Sequence, residues 1–258
     1  MAKKVAEQLV DTLIEAGVRR IYAVTGDSLN EVNEAVRQNE AMKWIHVRHE
    51  ETGAYAAGAE AQLTGLPGCC AGSSGPGHVH LINGLYDAHR SGAPVIAIAS
   101  TIPTGEFGTE YFQETNTVKL FNDCSFYNEV ATTPEQFPRM LQSALQTATT
   151  RKGVAVVGLP GDLAKKPAVK VESSEQIYPL ASSVCPAEED LIRLAGMLNH
   201  YERITLFCGI GCKGAHEEII RMSETLNAPV AYTFKGKMEV QYLSLIHISE
   251  PTRLALIS

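Results

Sequence analysis

The sequence has little positive charge and no cluster of it. It contains 22 Lys and Arg against 29 Asp and Glu, so its formal charge at pH 7 is -7. Nucleic-acid binding depends on grouped cations that neutralise phosphates. The composition therefore argues against a nucleic-acid partner. With 45% apolar and 20% charged residues over 258 positions, it is typical of a globular protein of one or two domains.

Two further features are missing: cysteines with zinc-binding spacing, and long apolar runs. The six cysteines include no C-x-x-C pair, so we interpret them as reduced thiols. The N-terminus, "MAKKVAEQLVDTL", lacks the apolar core of a signal peptide. No later run approaches the roughly 20 apolar residues of a membrane span. These absences predict a cytoplasmic protein.

Short apolar runs alternate with helical patterns through the first part of the chain. Apolar residues at helical spacing predict a helix over 5–16, which Gly17 ends. A later helix is predicted to begin at Thr133, with Pro134 in its first position and Gln136 closing a capping box. The alternation predicts an α/β fold, a parallel sheet with helices on both faces. Its strands are "RIYAV", "WIHV", "CCAG", "VIAIAS" and "GVAVVGL".

The composition changes after Pro160, where the chain becomes rich in Pro, Ser and Lys. We place the first domain at 1–167, a linker at 168–185 and the start of a second, incomplete α/β domain at 186–242. Only two strands of that domain, "ITLFC" and "PVAYTF", are predicted, too few for a stable sheet. The tail 243–258 does not continue the alternation and resembles a translated sequencing adaptor. We therefore expect a longer natural chain, cut near Tyr242.

A glycine-rich turn joins a strand to a helix in "AGSSGPGHVHLINGLYDAHR". Glycines around Pro76 let a ligand approach the backbone, and amides at a helix start favour polar or negative groups. A tight turn without a ligand explains these residues equally well. The P-loop and G-x-S-x-G patterns are not matched.

Five histidines, at positions 46, 49, 78, 80 and 89, raise the question of a metal site. His78 and His80 are two positions apart and point to different faces of a helix. No H-E-x-x-H pattern is present. We interpret the histidines as packing or surface residues and predict no metal ligands.

The segment "GIGCKG" lies between a predicted strand and a helix, which is the context of a dinucleotide site. Its glycines are Gly209, Gly211 and Gly214. An NAD site also requires an acidic residue at the end of the next strand, which here ends in Phe234, Lys235 and Gly236. The pattern leaves a flavin dinucleotide or no ligand as alternatives.

Glu50 lies at the start of a helix built mostly from Ala and Gly, in "RHEETGAYAAGAEAQLTG". A glutamate in a first turn is commonplace, because the helix dipole favours it. The small residues, however, allow another backbone to pack closely and enclose the side chain. A buried carboxylate requires a hydrogen-bond partner, so Glu50 is a candidate for chemistry.

The Glu50 segment and the glycine-rich turn resemble the N-terminal part of a thiamine-diphosphate enzyme. The segments "GVRRIYAVTGDSLN", "YFQET" and "GVAVVGLPGDLAKKP" share this resemblance. The resemblance is to the pyruvate oxidase and quinone-dependent pyruvate dehydrogenase group. It covers nearly all of 5–167, and "CGIGCKGAH" resembles the start of the family's flavin-carrying domain. The first domain would then be the family's pyrimidine-binding domain.

The resemblance implies roles for individual residues. Glu50 would share a proton with the aminopyrimidine ring and so promote the thiamine ylide that attacks pyruvate. Phe112 and Gln113 would face the substrate. The resemblance further implies Mg2+, FAD and a homodimer or homotetramer, with electrons passing from flavin to quinone or oxygen. The cofactor pocket would be lined by Gly26, Ser74, Gly75, Pro76 and Gly77.

The sequence departs from the family in two places. Many relatives carry Asn where this chain has His80. The family binds diphosphate and magnesium through a later Gly-Asp-Gly motif, which this chain lacks. We expect the chain alone to be inactive, and any peripheral membrane contact to lie in a tail beyond the cut.

Two alternatives stay open. The first is an acetolactate synthase-like carboligase or another 2-oxo acid decarboxylase. The segment "LFNDCSFYNEV" counts against it, because this segment is more similar to the oxidases. The second is a non-catalytic nucleotide-binding or assembly module. The joint presence of Glu50, "GPG" and "YFQET" counts against that module.

Overall fold

The computed structural model describes residues 3–169, 185–240 and 247–249. The chain divides into two units, Met1–Ser182 and Ser183–Ser258. The predicted linker, 168–185, lies largely outside the described residues, and its bounds stay a prediction. Among the described residues, no helix combines the length and the apolar composition needed to cross a membrane.

A six-stranded, wholly parallel sheet forms the centre of the first unit, in the order β2-β1-β3-β4-β6-β5. All five predicted strands are present. The edge strand β5 is not among the predicted strands, because "YNEV" is short and carries two polar residues. The strands are β1 (Arg20–Ala23), β2 (Lys43–His46), β3 (Gly68–Gly72), β4 (Val95–Thr101), β5 (Tyr127–Val130) and β6 (Val154–Pro160).

Helices cover both faces of this sheet, as predicted. One face packs against α1, α2, α7 and α8, and the other against α3 and α5. The helices are α1 (Val5–Glu15), α2 (Asn30–Arg37), α3 (Glu50–Thr64), α4 (Pro76–His80), α5 (Ile82–Arg90), α6 (Thr117–Leu120), α7 (Phe137–Arg151) and α8 (Gly161–Lys165).

The central strands are apolar at every position because both of their sides are buried. In β4, Ile96 and Ile98 belong to the core on the α1 side, whereas Val95, Ala97 and Ala99 belong to the core on the α3 side. Successive side chains of a strand point to opposite faces, so one continuous apolar run supplies both cores. This explains why "VIAIAS" and "GVAVVGL" are the clearest strand signals in the sequence.

Helix α1 agrees with its prediction, but the start of α7 does not. Gly17 follows α1 with φ +94°, a conformation that favours glycine. α7 begins at Phe137 and not at Thr133. The residues before it form a turn, in which the side-chain oxygen of Gln136 accepts a hydrogen bond from the backbone N–H of Thr132 at 2.9 Å. The predicted capping residue therefore closes a turn that precedes the helix.

The second unit is a smaller α/β arrangement. Its parallel sheet has the order β7-β8-β9. The expectation of two strands is corrected, because residues of the tail supply a third. Its elements are α9 (Glu188–His200), β7 (Leu206–Cys208), α10 (His216–Leu226), β8 (Val230–Tyr232), α11 (Lys237–Val240) and β9 (His247–Ser249). Helix α9 has no buried residue and exposes four apolar side chains, Leu191, Ile192, Leu194 and Met197.

Candidate functional site

The candidate site lies at the carboxyl ends of β1, β2 and β3. The strands β1 and β3 are neighbours in the sheet. The chain leaves β1 toward β2 on one side and leaves β3 toward β4 on the other side. In open parallel sheets, such a switch point opens a crevice at the carboxyl ends of the strands, where ligands bind. The turns after β1 and β3 meet there, because a Cβ at Gly26 would lie 2.5 Å from the Cβ of Ser73.

Glu50 is the first residue of α3 and only 8% of its surface is exposed. The preceding residue, His49, caps the helix by accepting a hydrogen bond at Nδ1 from the backbone N–H of Glu51 at 3.3 Å. The buried face of α3 consists of small residues, as predicted: Gly53, Ala54, Ala57, Gly58 and Ala61. Their size allows the sheet and α5 to approach, and Glu50 is enclosed as the sequence led us to expect.

The two carboxylate oxygens of Glu50 have different surroundings. Oε2 lies 3.0 Å from Nδ1 of His80, the last residue of α4. Oε1 faces Gly77, where a Cβ would lie 3.4 Å away. The side chain of His80 is 43% exposed and that of Glu50 is 11% exposed. His80 therefore links the solvent to a nearly buried carboxylate.

The glycine-rich turn brings the predicted cofactor residues beside the predicted substrate residue Gln113. The hydroxyl of Ser74 donates to the side-chain oxygen of Gln113 at 3.1 Å, and the backbone N–H of Ser74 donates to Oγ of Ser28 at 2.9 Å. Gly75 has φ +66°, and a Cβ there would lie 2.7 Å from the Cβ of Gln113. Pro76 begins α4. Through Ser74 and Gly75, the glycine-rich turn thus packs against the loop after β4 that carries Gln113.

Phe112, the other predicted substrate residue, is 80% exposed. Its neighbour Gln113 has φ +67°, an uncommon conformation for a residue with a side chain. The loop that carries both is anchored at Thr104, whose backbone N–H and hydroxyl donate to Asp162 at 2.9 and 2.7 Å. The structure thus gathers Glu50, Gly77, Ser74, Gly75 and Gln113, while Phe112 points into open space.

His78 is a packing residue, as predicted. Its Nδ1 lies 2.8 Å from the carbonyl oxygen of Ser100 and its Nε2 lies 2.5 Å from the hydroxyl of Thr115. Burial lowers the pKa of His78, and the hydrogen bond with Ser100 partly opposes this shift. His78 therefore ties α4 to β4 and to the loop that carries Gln113.

The prediction that the histidines contribute no metal ligands stays a prediction, but one cluster that contains two of them has suitable ligand atoms. Ligand atoms of His49, Glu50 and His80 all lie within 4.8 Å of one another, so the three residues could hold a metal ion. His80 and His78 lie on the same helix, α4, whereas His49 immediately precedes α3. His49 and His80 come together because α3 and α4 meet, a contact that no local sequence pattern indicates.

The glycines of the second unit form a turn between β7 and α10. Gly209 follows β7, Gly211 lies in a short 3-10 helix (Ile210–Cys212), and Gly214 has φ +79°. A Cβ would meet nothing within 4 Å at Gly211 or Gly214, so the backbone of this turn is open to close approach. At the next strand, the hydroxyl of Thr233 accepts from the backbone N–H of Gly236 at 3.2 Å.

Comparison with known families agrees with this geometry. Residues 3–120 match the thiamine pyrophosphate enzyme N-terminal TPP-binding domain. Residues 191–244 match the thiamine pyrophosphate enzyme central domain.

Three relatives illustrate the similarity. An uncharacterised 42.6 kDa protein of Pseudomonas amyloderamosa is 49% identical, over 93% of this chain and 61% of its own length. The putative thiamine pyrophosphate-containing protein YdaP of Bacillus subtilis is 39% identical, over 92% of this chain and 42% of its own length. The pyruvate oxidase of Lactiplantibacillus plantarum is 36% identical, over 86% of this chain and 37% of its own length.

Plant acetolactate synthases follow at 29–32% identity and 36–37% of their own length. The chain thus spans between about a third and three fifths of the curated relatives it matches. With both of its units matched, the chain carries the N-terminal TPP-binding domain and a central-domain segment of the thiamine pyrophosphate enzyme family.

Proposed function

We propose that the full-length protein catalyses the oxidative decarboxylation of pyruvate with thiamine diphosphate as cofactor. One observation carries this proposal: a carboxylate at the switch point of the sheet is nearly buried, with one oxygen held by His80 and the other facing a residue without a side chain. Such a group can exchange a proton with a ring nitrogen placed against it. The similarity to pyruvate oxidase supports the choice of substrate.

The residues present fit the aminopyrimidine half of the cofactor. A flat ring needs a close backbone approach beside the carboxylate, and Gly77 leaves the Oε1 side of Glu50 without a Cβ. When bound, thiamine diphosphate supplies a carbon nucleophile and an acceptor for the electrons that remain after carbon dioxide leaves. The chain's own contribution is to bind the ring and to hold a proton at Glu50.

Burial and a hydrogen bond set the orientation and the surroundings of the Glu50 carboxylate. His80 engages Oε2 and so orients the carboxylate with Oε1 toward the crevice. Because Glu50 is enclosed, little water competes for the same hydrogen bond, and the interaction with a ring nitrogen is correspondingly stronger. We assign to Glu50 the role of proton acceptor and donor, and to His80 the role of orienting it.

Gln113 is the proposed substrate contact. Ser74 donates to its side-chain oxygen, which fixes the amide, and the amide NH2 group supplies two donors. Donors of this kind suit the carboxylate of a 2-oxo acid. Phe112 is exposed and would add apolar contact with the substrate methyl group.

We further propose that FAD is the electron carrier and that it is held by the second unit. The open backbone at Gly211 and Gly214 suits a dinucleotide, while "TFKGK" lacks the acidic residue of ordinary NAD sites. Mg2+ and the diphosphate would be held by a domain beyond this chain. The working enzyme would be a homodimer or homotetramer, with quinone or oxygen as the final acceptor.

An acetolactate synthase-like carboligase is the second candidate, supported by the similarity to plant acetolactate synthases. Both reactions begin with decarboxylation of pyruvate, so the shared Glu50 geometry suits either. They differ in the second step, which transfers electrons in one case and forms a carbon-carbon bond in the other.

Product analysis of the full-length protein distinguishes the two. With pyruvate, thiamine diphosphate, Mg2+, FAD and a dye acceptor, we expect one dye molecule reduced by two electrons for each carbon dioxide released, with acetate as the product. Accumulation of acetolactate without dye reduction would replace the first proposal by the second. Absence of carbon dioxide release with purified, cofactor-loaded protein would contradict both.

A further inference from the structure

His49, Glu50 and His80 form a cluster with a composition suited to metal binding. Two imidazoles and one carboxylate converge from the start of α3 and the end of α4, with their ligand atoms within 4.8 Å of one another. Nδ1 of His80 and Oε2 of Glu50 are 3.0 Å apart. The two rings are stacked, with centroids 4.4 Å apart and an interplanar angle of 27°.

We propose that these three residues bind a transition-metal dication, Zn2+ in the first instance, and that the bound metal withdraws Glu50 from thiamine activation. The binding itself is independent of the proposed function. The inhibitory consequence rests on it, because it requires Glu50 to be the proton-exchanging group.

The donor set selects the class of metal. Imidazole nitrogens suit Zn2+, Cu2+ and Ni2+, whereas Mg2+ and Ca2+ prefer oxygen ligands alone. Two histidines and a carboxylate, with a remaining position for water, make a known ligand set for Zn2+. The proposed site is thus chemically distinct from a magnesium-diphosphate site.

The distances require only a small adjustment. With metal-ligand bonds of about 2.0–2.2 Å, two ligands of a tetrahedral Zn2+ are separated by about 3.3 Å. The His80 to Glu50 separation of 3.0 Å is already close to that value. The third ligand atom has to move inward, and the side chain of His49 is 49% exposed, which leaves its ring room to turn.

Two existing hydrogen bonds oppose binding, because the proton shared by Nδ1 of His80 and Oε2 of Glu50 also has to leave. Nδ1 of His49 accepts the capping hydrogen bond from Glu51, and ligation through that nitrogen would replace it. At 3.3 Å this hydrogen bond is long, and so weak. The positive end of the α3 dipole also opposes a cation, but the carboxylate of Glu50 is itself one of the ligands and offsets it.

Access to the site is one-sided. The two imidazoles are about half exposed and Glu50 is nearly buried. A metal ion can therefore arrive from solvent, contact the histidines and then engage Oε2 of Glu50. Once it does, the carboxylate is held by the metal and is no longer available to a ring nitrogen.

The test is calorimetric titration of ZnCl2 into the 258-residue chain, under a non-chelating reductant and without thiamine diphosphate. We expect one site of highest affinity, and we expect His80→Asn and Glu50→Gln each to weaken it at least tenfold. His46→Asn is the matched control, because His46 is an exposed histidine on β2 outside the cluster; its affinity should equal that of the unmodified chain. MgCl2 should give no comparable binding.

Circular dichroism establishes that each variant is folded. Should His80→Asn or Glu50→Gln fail to fold, His49→Gln carries the test, because this exposed residue can be changed with little cost to packing. Absence of Zn2+ binding, or unchanged affinity in the cluster variants, would overturn the proposal. So would an equal loss of affinity in His46→Asn.

A second arm tests the consequence in the full-length protein. Saturation with Zn2+ should reduce the affinity for thiamine diphosphate at least tenfold, and His80→Asn should remove most of that effect. Zn2+ binding without any change in cofactor affinity would overturn the inhibitory part alone. Failure of thiamine diphosphate to bind with or without Zn2+ would count against the proposed function and leave the metal site standing.

Discussion

Asp162 fixes the loop that presents Gln113 to the site. Its carboxylate accepts two hydrogen bonds from Thr104, at 2.9 and 2.7 Å, and lies 3.9 Å from the amine of Lys166. Burial alone would raise the pKa of Asp162, but the hydrogen bonds from Thr104 and the charge of Lys166 outweigh it, so the pKa is lowered. The charged form is therefore favoured by folding.

This shift predicts a pH-dependent stability. A carboxyl group with a lowered pKa in the folded state stabilises the fold above its unfolded-state pKa, about 4, and loses that effect as the pH falls through the folded-state pKa. Asp162→Asn should therefore lower the thermal midpoint of unfolding at pH 7. The difference in midpoint between the variant and the unmodified chain should become smaller below pH 4. Thermal unfolding followed by circular dichroism at pH 7, 5 and 3 measures this. Asp87→Asn, at an exposed position on α5, is the control. A midpoint difference for Asp162→Asn that stays constant with pH would contradict the lowered pKa of Asp162.

At the residue scale, the sequence identifies Glu50 but not its partner. The run of Ala and Gly after Glu50 indicates an enclosed carboxylate, and the structure confirms the burial. His80 lies 30 positions away, and its contact depends on where α4 ends relative to α3. The contact between Ser74 and Gln113, 39 positions apart, is not predictable for the same reason. Contacts between different elements depend on how those elements are placed in the fold, which local sequence patterns do not indicate.

At the scale of elements, α3 is held by unusually close contacts with its neighbours. A Cβ at Gly68 of β3 would lie 2.1 Å from the carbonyl oxygen of Ala57, and a Cβ at Gly84 of α5 would lie 2.6 Å from the Cβ of Ala54. These separations are shorter than van der Waals contact, so only glycine fits. The position of Glu50 at the helix start follows from this packing.

Gly68→Ala should consequently destabilise the first unit by about 2–3 kcal/mol, because overpacking against backbone atoms cannot be relieved by a side-chain rotation. Urea denaturation followed by circular dichroism measures the loss. Gly105→Ala is the control, since a Cβ there meets nothing within 4 Å, and it should change stability by less than about 0.5 kcal/mol. Equal effects of the two substitutions would contradict the close packing of α3 on β3.

The elements themselves are largely predictable where both faces of a strand are buried. β3, β4 and β6 are apolar runs that no solvent-exposed helix would carry, and each forms a strand as predicted. Edge elements are less clear: two of the four residues of β5 are polar, and none of the four is fully buried. The start of α7 was misplaced because Gln136 can close a turn as readily as a capping box. In the tail, pairing with β8 makes a strand of His247–Ser249 that sequence pattern does not indicate.

At the scale of the whole molecule, the chain carries only part of what the proposed reaction requires. It matches the N-terminal and central domains of the thiamine pyrophosphate enzymes and spans 37–61% of the three relatives compared. In the proposal, Glu50 and Gly77 contact the aminopyrimidine side of the cofactor. The chain contains no Gly-Asp-Gly motif, which the resemblance described above implies for binding of the diphosphate and its metal.

We therefore expect the 258-residue chain to consume no pyruvate when thiamine diphosphate, Mg2+ and a dye acceptor are supplied. Metal-bridged phosphate contacts provide much of the affinity for such cofactors, so cofactor binding should also be weak. Pyruvate consumption and a thiamine diphosphate titration test both points, with the full-length protein as the positive control. Turnover by the purified chain would show that the diphosphate side of the site lies within it.

The central claim is that Glu50 exchanges the proton that activates the cofactor. It is tested most directly by hydrogen-deuterium exchange at the thiazolium carbon of thiamine diphosphate bound to the full-length protein, followed by NMR after acid quench. Glu50→Gln keeps the size of the side chain but cannot hold the proton, so exchange should slow by at least a hundredfold. Glu51→Gln, one position along the same helix, is the matched control and should exchange at the unmodified rate. An unchanged rate in folded, cofactor-bound Glu50→Gln would contradict the account.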